Sequence, residues 1–137
     1  MIMKFLISSL LLLAVATTLA YVTEEEVPNE DGVLVLTTAN FKRVIEANDF
    51  VLVDFYAPWC GASIALTPEF AKAAQFLAEW RSPIKLAKVD VTVSSELDTY
   101  FQLRQYPTMK YFRRGVPFEY NGGYRAADII AWLNAVQ

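Results

Sequence analysis

Residues 50–57 read Phe-Val-Leu-Val-Asp-Phe-Tyr-Ala, an apolar run broken only by Asp54. A strand with one wet face alternates apolar and polar residues, so a run of this kind predicts a central strand covered on both faces. Helices on both sides of a largely parallel sheet are the usual cover. The remaining pattern supplies the pieces. Val33–Leu36 reads as a short strand, Phe41, Val44 and Ile45 share one face of a helix, and Thr37 or Thr38 stands where a cap would. After the central strand, Phe70, Ala73, Ala74, Leu77 and Trp80 recur at helical spacing, with Pro68 expected to kink or break that helix. Ile84–Val89 is the next strand, and Ser94 or Ser95 opens another helix. Met109–Phe112 and Val116–Tyr120 flank a turn at Arg113–Gly115, an antiparallel hairpin whose second arm, holding Pro117, belongs at an edge. Ile129, Ile130, Leu133 and Val136 line a closing helix. The fold class is therefore α/β, with a central mixed sheet flanked by helices on both faces.

The chain of 137 residues suits one domain. Residues 1–20 carry Lys4, an apolar stretch from Phe5 to Ala16, and small residues at Thr18 and Ala20, the layout of a secretory signal peptide. A membrane anchor needs about 20 unbroken apolar residues, and Ser8, Ser9, Thr17 and Thr18 interrupt this one. No stable membrane insertion is expected after cleavage. Residues 21–32, with Glu24, Glu25 and Glu26 in a row, read as a flexible acidic lead-in, and residues 33–137 as the domain. The net charge of −3 argues against a nucleic-acid partner.

An exported chain normally has cysteines to pair. This one has a single cysteine, Cys60, which excludes a disulfide within the chain. Cys60 falls where the central strand ends and a helix begins. There the helix terminus offers free N–H groups and partial positive charge, which favour a thiolate. Against a buried inert thiol stand the neighbours Trp59, Gly61 and Ala62, which suit a surface turn. Ser63, one helical turn on, could hydrogen-bond to the thiolate or simply be a helix-end serine. Asp54 is costly in a buried strand unless neutral or paired, and its pKa should be raised. Lys88, by strand parity, could point to the same side and pair with it, or lean toward a sheet edge and snorkel. Trp59, Tyr106 and Tyr56 could rim a substrate surface or belong to the core. Pro107 between a helix and a strand could be cis, although trans is commoner.

The segment Tyr56-Ala57-Pro58-Trp59-Cys60-Gly61, with Val51-Leu52-Val53-Asp54-Phe55 before it, resembles the active-site strand of a protein disulfide isomerase catalytic domain. Thr67-Pro68-Glu69-Phe70, Lys85-Leu86-Ala87-Lys88-Val89-Asp90, Tyr106-Pro107-Thr108 and Glu119-Tyr120-Asn121-Gly122-Gly123 extend the resemblance over residues 33–137. It implies a thioredoxin fold and a setting in the endoplasmic reticulum lumen or beyond it, since Asn134–Gln137 is not a Lys-Asp-Glu-Leu-type retention signal. It implies that Cys60 is the attacking cysteine, that Pro107 is a cis-proline facing it, and that Asp54 and Lys88 are the buried acid–lysine pair. Unfolded or disulfide-containing polypeptides would be the partners. No cofactor is implied, with glutathione a candidate co-substrate.

The departures are as informative as the matches. The family reads Cys-Gly-His-Cys-Lys where this chain has Cys60-Gly61-Ala62-Ser63-Ile64. The chain has no histidine, Ser63 replaces the resolving cysteine, Tyr124 stands where the family has an arginine, and Gln105 replaces a glycine. Without a second thiol, Cys60 cannot shuttle between dithiol and internal disulfide, so dithiol oxidase chemistry is not expected. Escape from a mixed disulfide then needs an outside thiol. Two functions stay open: a weak monothiol isomerase, or a client-binding module in which Cys60 at most tethers.

Overall fold

The computed structural model describes residues 25–137, so the expected signal peptide lies outside the described residues. A six-stranded mixed sheet forms the centre. Its strands are β1 (Asn29–Glu30), β2 (Val33–Leu36), β3 (Phe50–Tyr56), β4 (Lys85–Asp90), β5 (Thr108–Arg113) and β6 (Val116–Glu119), in spatial order β1-β2-β4-β3-β5-β6. The β2–β4 and β4–β3 pairs are parallel, and the other three pairs are antiparallel. The helices are α1 (Phe41–Ala47), α2 (Gly61–Glu79), α3 (Ser95–Phe101) and α4 (Ala126–Val136).

The strand β3 explains its own sequence. Val51, Val53 and Phe55 point to one face, where Phe41, Val44 and Ile45 of α1 and Leu97 of α3 cover them. Leu52 points to the other, against Leu66, Phe70, Ala73 and Leu77 of α2 and Ile129 and Leu133 of α4. Apart from Ala73, each of these buried side chains contributes about 1.5–3 kcal/mol relative to exposure. The hairpin β5–β6 turns at Arg114 and Gly115, both at positive φ (47° and 80°), as a two-residue turn matched to strand twist requires. Pro117 lies on the outer strand, where a missing N–H costs no ladder bond.

Four expectations need correction. Part of the segment read as a flexible lead-in is a strand: Asn29 and Glu30 pair with Leu34 and Val33. The Gly32 N–H donates to Asn29 Oδ1 to close the turn between β1 and β2, and Asp31 and Gly32 sit there at positive φ. The N-cap of α1 is Asn40, not Thr37 or Thr38, because Asn40 Oδ1 accepts from the Thr37 N–H while the Thr38 hydroxyl is drawn to Glu96. Helix α2 runs through Pro68 without a break. A proline forfeits one backbone bond, and the buried residues on either side of it hold the helix to the sheet. Trp80, placed by periodicity on the inner face of α2, lies past the helix end and is 63% exposed.

Candidate active site

Cys60 is the N-cap of α2, in extended conformation at φ −85° and ψ 123°. The abrupt change from β3 through Ala57-Pro58-Trp59 leaves its sulfur facing the first turn of the helix. The first turn of α2, with the Ser63 and Ala62 backbone N–H groups and the Ser63 hydroxyl, lies at the helix end that Cys60 caps. These donors favour the thiolate and lower the thiol pKa below its ordinary value, against an opposing contribution from desolvation. As a thiol, Cys60 donates from Sγ to the carbonyl oxygen of Tyr106 at 3.2 Å. The Tyr106–Pro107 peptide is cis, and Pro107 is buried beside β5.

Ser63 is 1% exposed. Its hydroxyl oxygen accepts from the Ala57 N–H at 3.4 Å, so it ties the end of β3 to the start of α2 while its proton side is available to sulfur. Trp59 is 72% exposed. Its ring meets that of Tyr106 edge-on, with centroids 6.2 Å apart. Tyr106 is fixed in turn by donating its hydroxyl to Asp98 of α3, and that bond, with burial and the Asp98 charge, pushes its pKa up to about 12. Ile64, on the first turn of α2, is also exposed. Thus a thiol, two aromatic rings and an aliphatic side chain border one surface at the carboxyl end of the central strand, where open α/β sheets gather their chemistry.

Behind this surface lies Asp54, 3% exposed. Its neighbours across the ladder are Lys88 on β4 and Met109 on β5. Burial raises its pKa from 3.8 to about 7, with the Lys88 charge opposing. Asp54 Oδ1 has no hydrogen-bond partner. The Lys88 ammonium is ion-paired with Glu30 of β1 instead. A cleft of about 200 Å³, bordered by Glu30, Asp54, Tyr56, Thr67, Phe70 and Lys88, joins these groups to solvent.

Comparison with known proteins agrees with this fold. Residues 32–135 match the family model described as Thioredoxin. The chain is 60% identical over 131 residues to a protein disulfide-isomerase of Drosophila melanogaster, covering 96% of this chain and 26% of that protein. It is 51% identical over 130 residues to one of Gallus gallus, covering 93% and 24%. The solution structure of the first thioredoxin domain of mouse protein disulfide-isomerase A4 superposes with a TM-score of 0.74 at 38% identity, covering 83% of this chain and 81% of that one. The chain belongs to the protein disulfide isomerase family. It spans about a quarter of the length of the curated relatives it matches. Human ERp44 form I is a further structural relative, with a TM-score of 0.72 at 28% identity over 81% of this chain and 30% of that one.

Of the residues the sequence singled out in this family member, the structure brings Cys60, Ser63, Trp59, Tyr106 and Pro107 together. Asp54 and Lys88 are register neighbours, but no ion pair joins them among the described residues, and the lysine reaches outward to the sheet edge. Tyr56 leaves the expected rim and borders the Asp54 cleft, since strand alternation sets it on the same face as Asp54. Sequence reasoning missed Glu30 and Asp98. Glu30 lay in a segment read as solvated. Asp98 carried no motif, and only the folding of α3 against the loop before β5 gives it a role.

Proposed function

We propose that this chain is a thiol–disulfide exchange domain of the secretory pathway that acts in protein folding through one sulfur. The Cys60 thiolate attacks one sulfur of a client disulfide. A Cys60–client disulfide forms, and the other client sulfur leaves as a thiolate. A second thiolate of the same client then attacks the client sulfur of the mixed disulfide and returns Cys60 to its thiolate, which rearranges the client with no net redox change. With glutathione as the attacking thiol, a client–glutathione disulfide is released, and a second glutathione converts it to client thiol and oxidised glutathione. Trp59, Ile64 and Tyr106 offer apolar surface to the client backbone and side chains near the target disulfide.

The observation that carries this reading is the position of Cys60 as the N-cap of α2, its Sγ 3.2 Å from the Tyr106 carbonyl oxygen of the cis-proline loop; a helix terminus favours a thiolate without histidine. The relatives named protein disulfide-isomerase supply the substrate class, and the apolar stretch at residues 5–16 supplies the compartment. A second reading is a redox-inactive client-binding module. The exposed Trp59 and Ile64 favour it, because they would hold an unfolded segment whether or not the sulfur reacts. Alkylation of Cys60 as a function of pH separates the two. Exchange chemistry requires a midpoint below the unperturbed value of about 8.5, and glutathione-dependent rearrangement of a scrambled-disulfide substrate that disappears in Cys60→Ala. Slow alkylation with an ordinary midpoint, and equal client binding by parent and variant, would leave the binding module.

A further inference from the structure

Lys88 faces two carboxylates and has chosen the outer one. The parallel register sets Lys88 directly beside Asp54, and both border the same cleft. Its ammonium nevertheless bonds to Glu30, while the buried Asp54 Oδ1 is left with no partner. We infer that Glu30 is a positioning residue: by holding the Lys88 ammonium at the sheet edge, it favours the neutral form of the buried Asp54 carboxyl.

The groups around Asp54 account for this. From β4 comes Lys88, the one cation bordering the cleft; from β1 and its turn come Glu30 and Asp31; from β3 comes Tyr56. From α2 come Thr67 and Phe70, and from β5 the apolar Met109. Apart from Lys88, every ionisable neighbour is anionic or neutral and works against a second negative charge. Glu30 is exposed, so its carboxylate retains its hydration. Asp54 must be stripped of water to ionise. The lysine therefore rests on the carboxylate that costs nothing to charge. Glu30 holds the lysine from the exposed side of the pair, so the arrangement depends on a residue that solvent reaches. An opposite charge placed beside a buried carboxylate lowers its pKa by about 1–3 units; Lys88 already opposes the rise at Asp54, and Glu30 withholds the rest of that effect. This inference stands apart from whether Cys60 turns over, because it concerns only the charge behind the thiol surface.

The test is the titration of the Asp54 side-chain carbon, followed by carbon-13 NMR and assigned with Asp54→Asn. Glu30→Gln should lower the Asp54 midpoint by about one pH unit or more as Lys88 swings inward, and Lys88→Met should raise it. Removing the Glu30 charge also acts on Asp54 directly, and the double variant isolates that part: in the Lys88→Met background, Glu30→Gln should shift the midpoint by much less. An unchanged midpoint in Glu30→Gln, or an equal fall with and without Lys88, would overturn the inference. Glu30 is exposed on a two-residue strand, so its substitution leaves the core intact.

Discussion

At the residue scale, Cys60 caps α2 in a chain with no histidine and no second cysteine, and the backbone N–H groups of the first helical turn lower its thiol pKa. Helix geometry donates those groups whatever the side chains are. Ser63 is the instructive neighbour. It is buried, and its oxygen accepts from the Ala57 N–H, which ties the end of β3 to the start of α2. Asp54 is the costly residue. Folding raises its pKa to about 7, so between roughly pH 4 and 7 the folded chain holds a proton that the unfolded chain has lost. Stability therefore falls as pH rises through that window and levels off above it. Asp54→Asn abolishes this term. It should stabilise the protein by about 2–4 kcal/mol at pH 8, and by progressively less toward pH 4. Thermal unfolding followed by circular dichroism at several pH values would show it, and a difference that does not change with pH would contradict it.

At the scale of the elements, α2 matters most, because its first turn carries the thiol and its middle carries the core. It also starts another helix. Glu69 Oε2 accepts from the Ala126 N–H at 2.8 Å and so satisfies one of the free donors at the head of α4, beside the local bond from the Arg125 N–H to Asp128. That backbone bond, then Lys72, lowers the Glu69 pKa. A depressed folded pKa means that the stabilisation is present above the ordinary glutamate range and is lost as pH falls through the folded value. Glu69→Ala should speed hydrogen exchange at the Ala126 amide and lower the unfolding temperature near neutral pH. Its deficit relative to the parent should close in acid, and a constant deficit would mean that Glu69 acts through packing alone.

At the scale of the molecule, two cores share one strand. Leu52 and Phe55 sit on opposite faces of β3, each fully buried. If β3 couples the two helical layers, damage on either face lowers a single unfolding transition. Leu52→Ala should cost about 2–5 kcal/mol and Phe55→Ala about 3–5 kcal/mol. In urea, tryptophan fluorescence and far-ultraviolet circular dichroism should report the same shifted midpoint for each variant. Probes that separate would show that the two layers unfold independently. The shared strand also places the site: it carries Asp54 within the molecule and delivers Cys60 at its end.

The order of strands and helices, the buried strand at residues 50–56, the hairpin at Arg114–Gly115 and the thiol at the head of a helix were all legible in the chain. They rest on periodicity, turn chemistry and a local motif, which act over a few residues and leave their mark in composition. The unbroken helix through Pro68 was not, because it depends on the sheet that its buried residues pack against; the strand at Asn29–Glu30 and the cap on Asn40 rest on local bonds that their polar composition hid. The same holds for the site. Strand parity left Lys88 free either to pair with Asp54 or to lean to a sheet edge, and the choice was decided by a strand brought to it from 58 residues away. Local pattern determines what a segment can become; the solvation of a charge depends on everything packed around it, and that is settled only in the folded molecule.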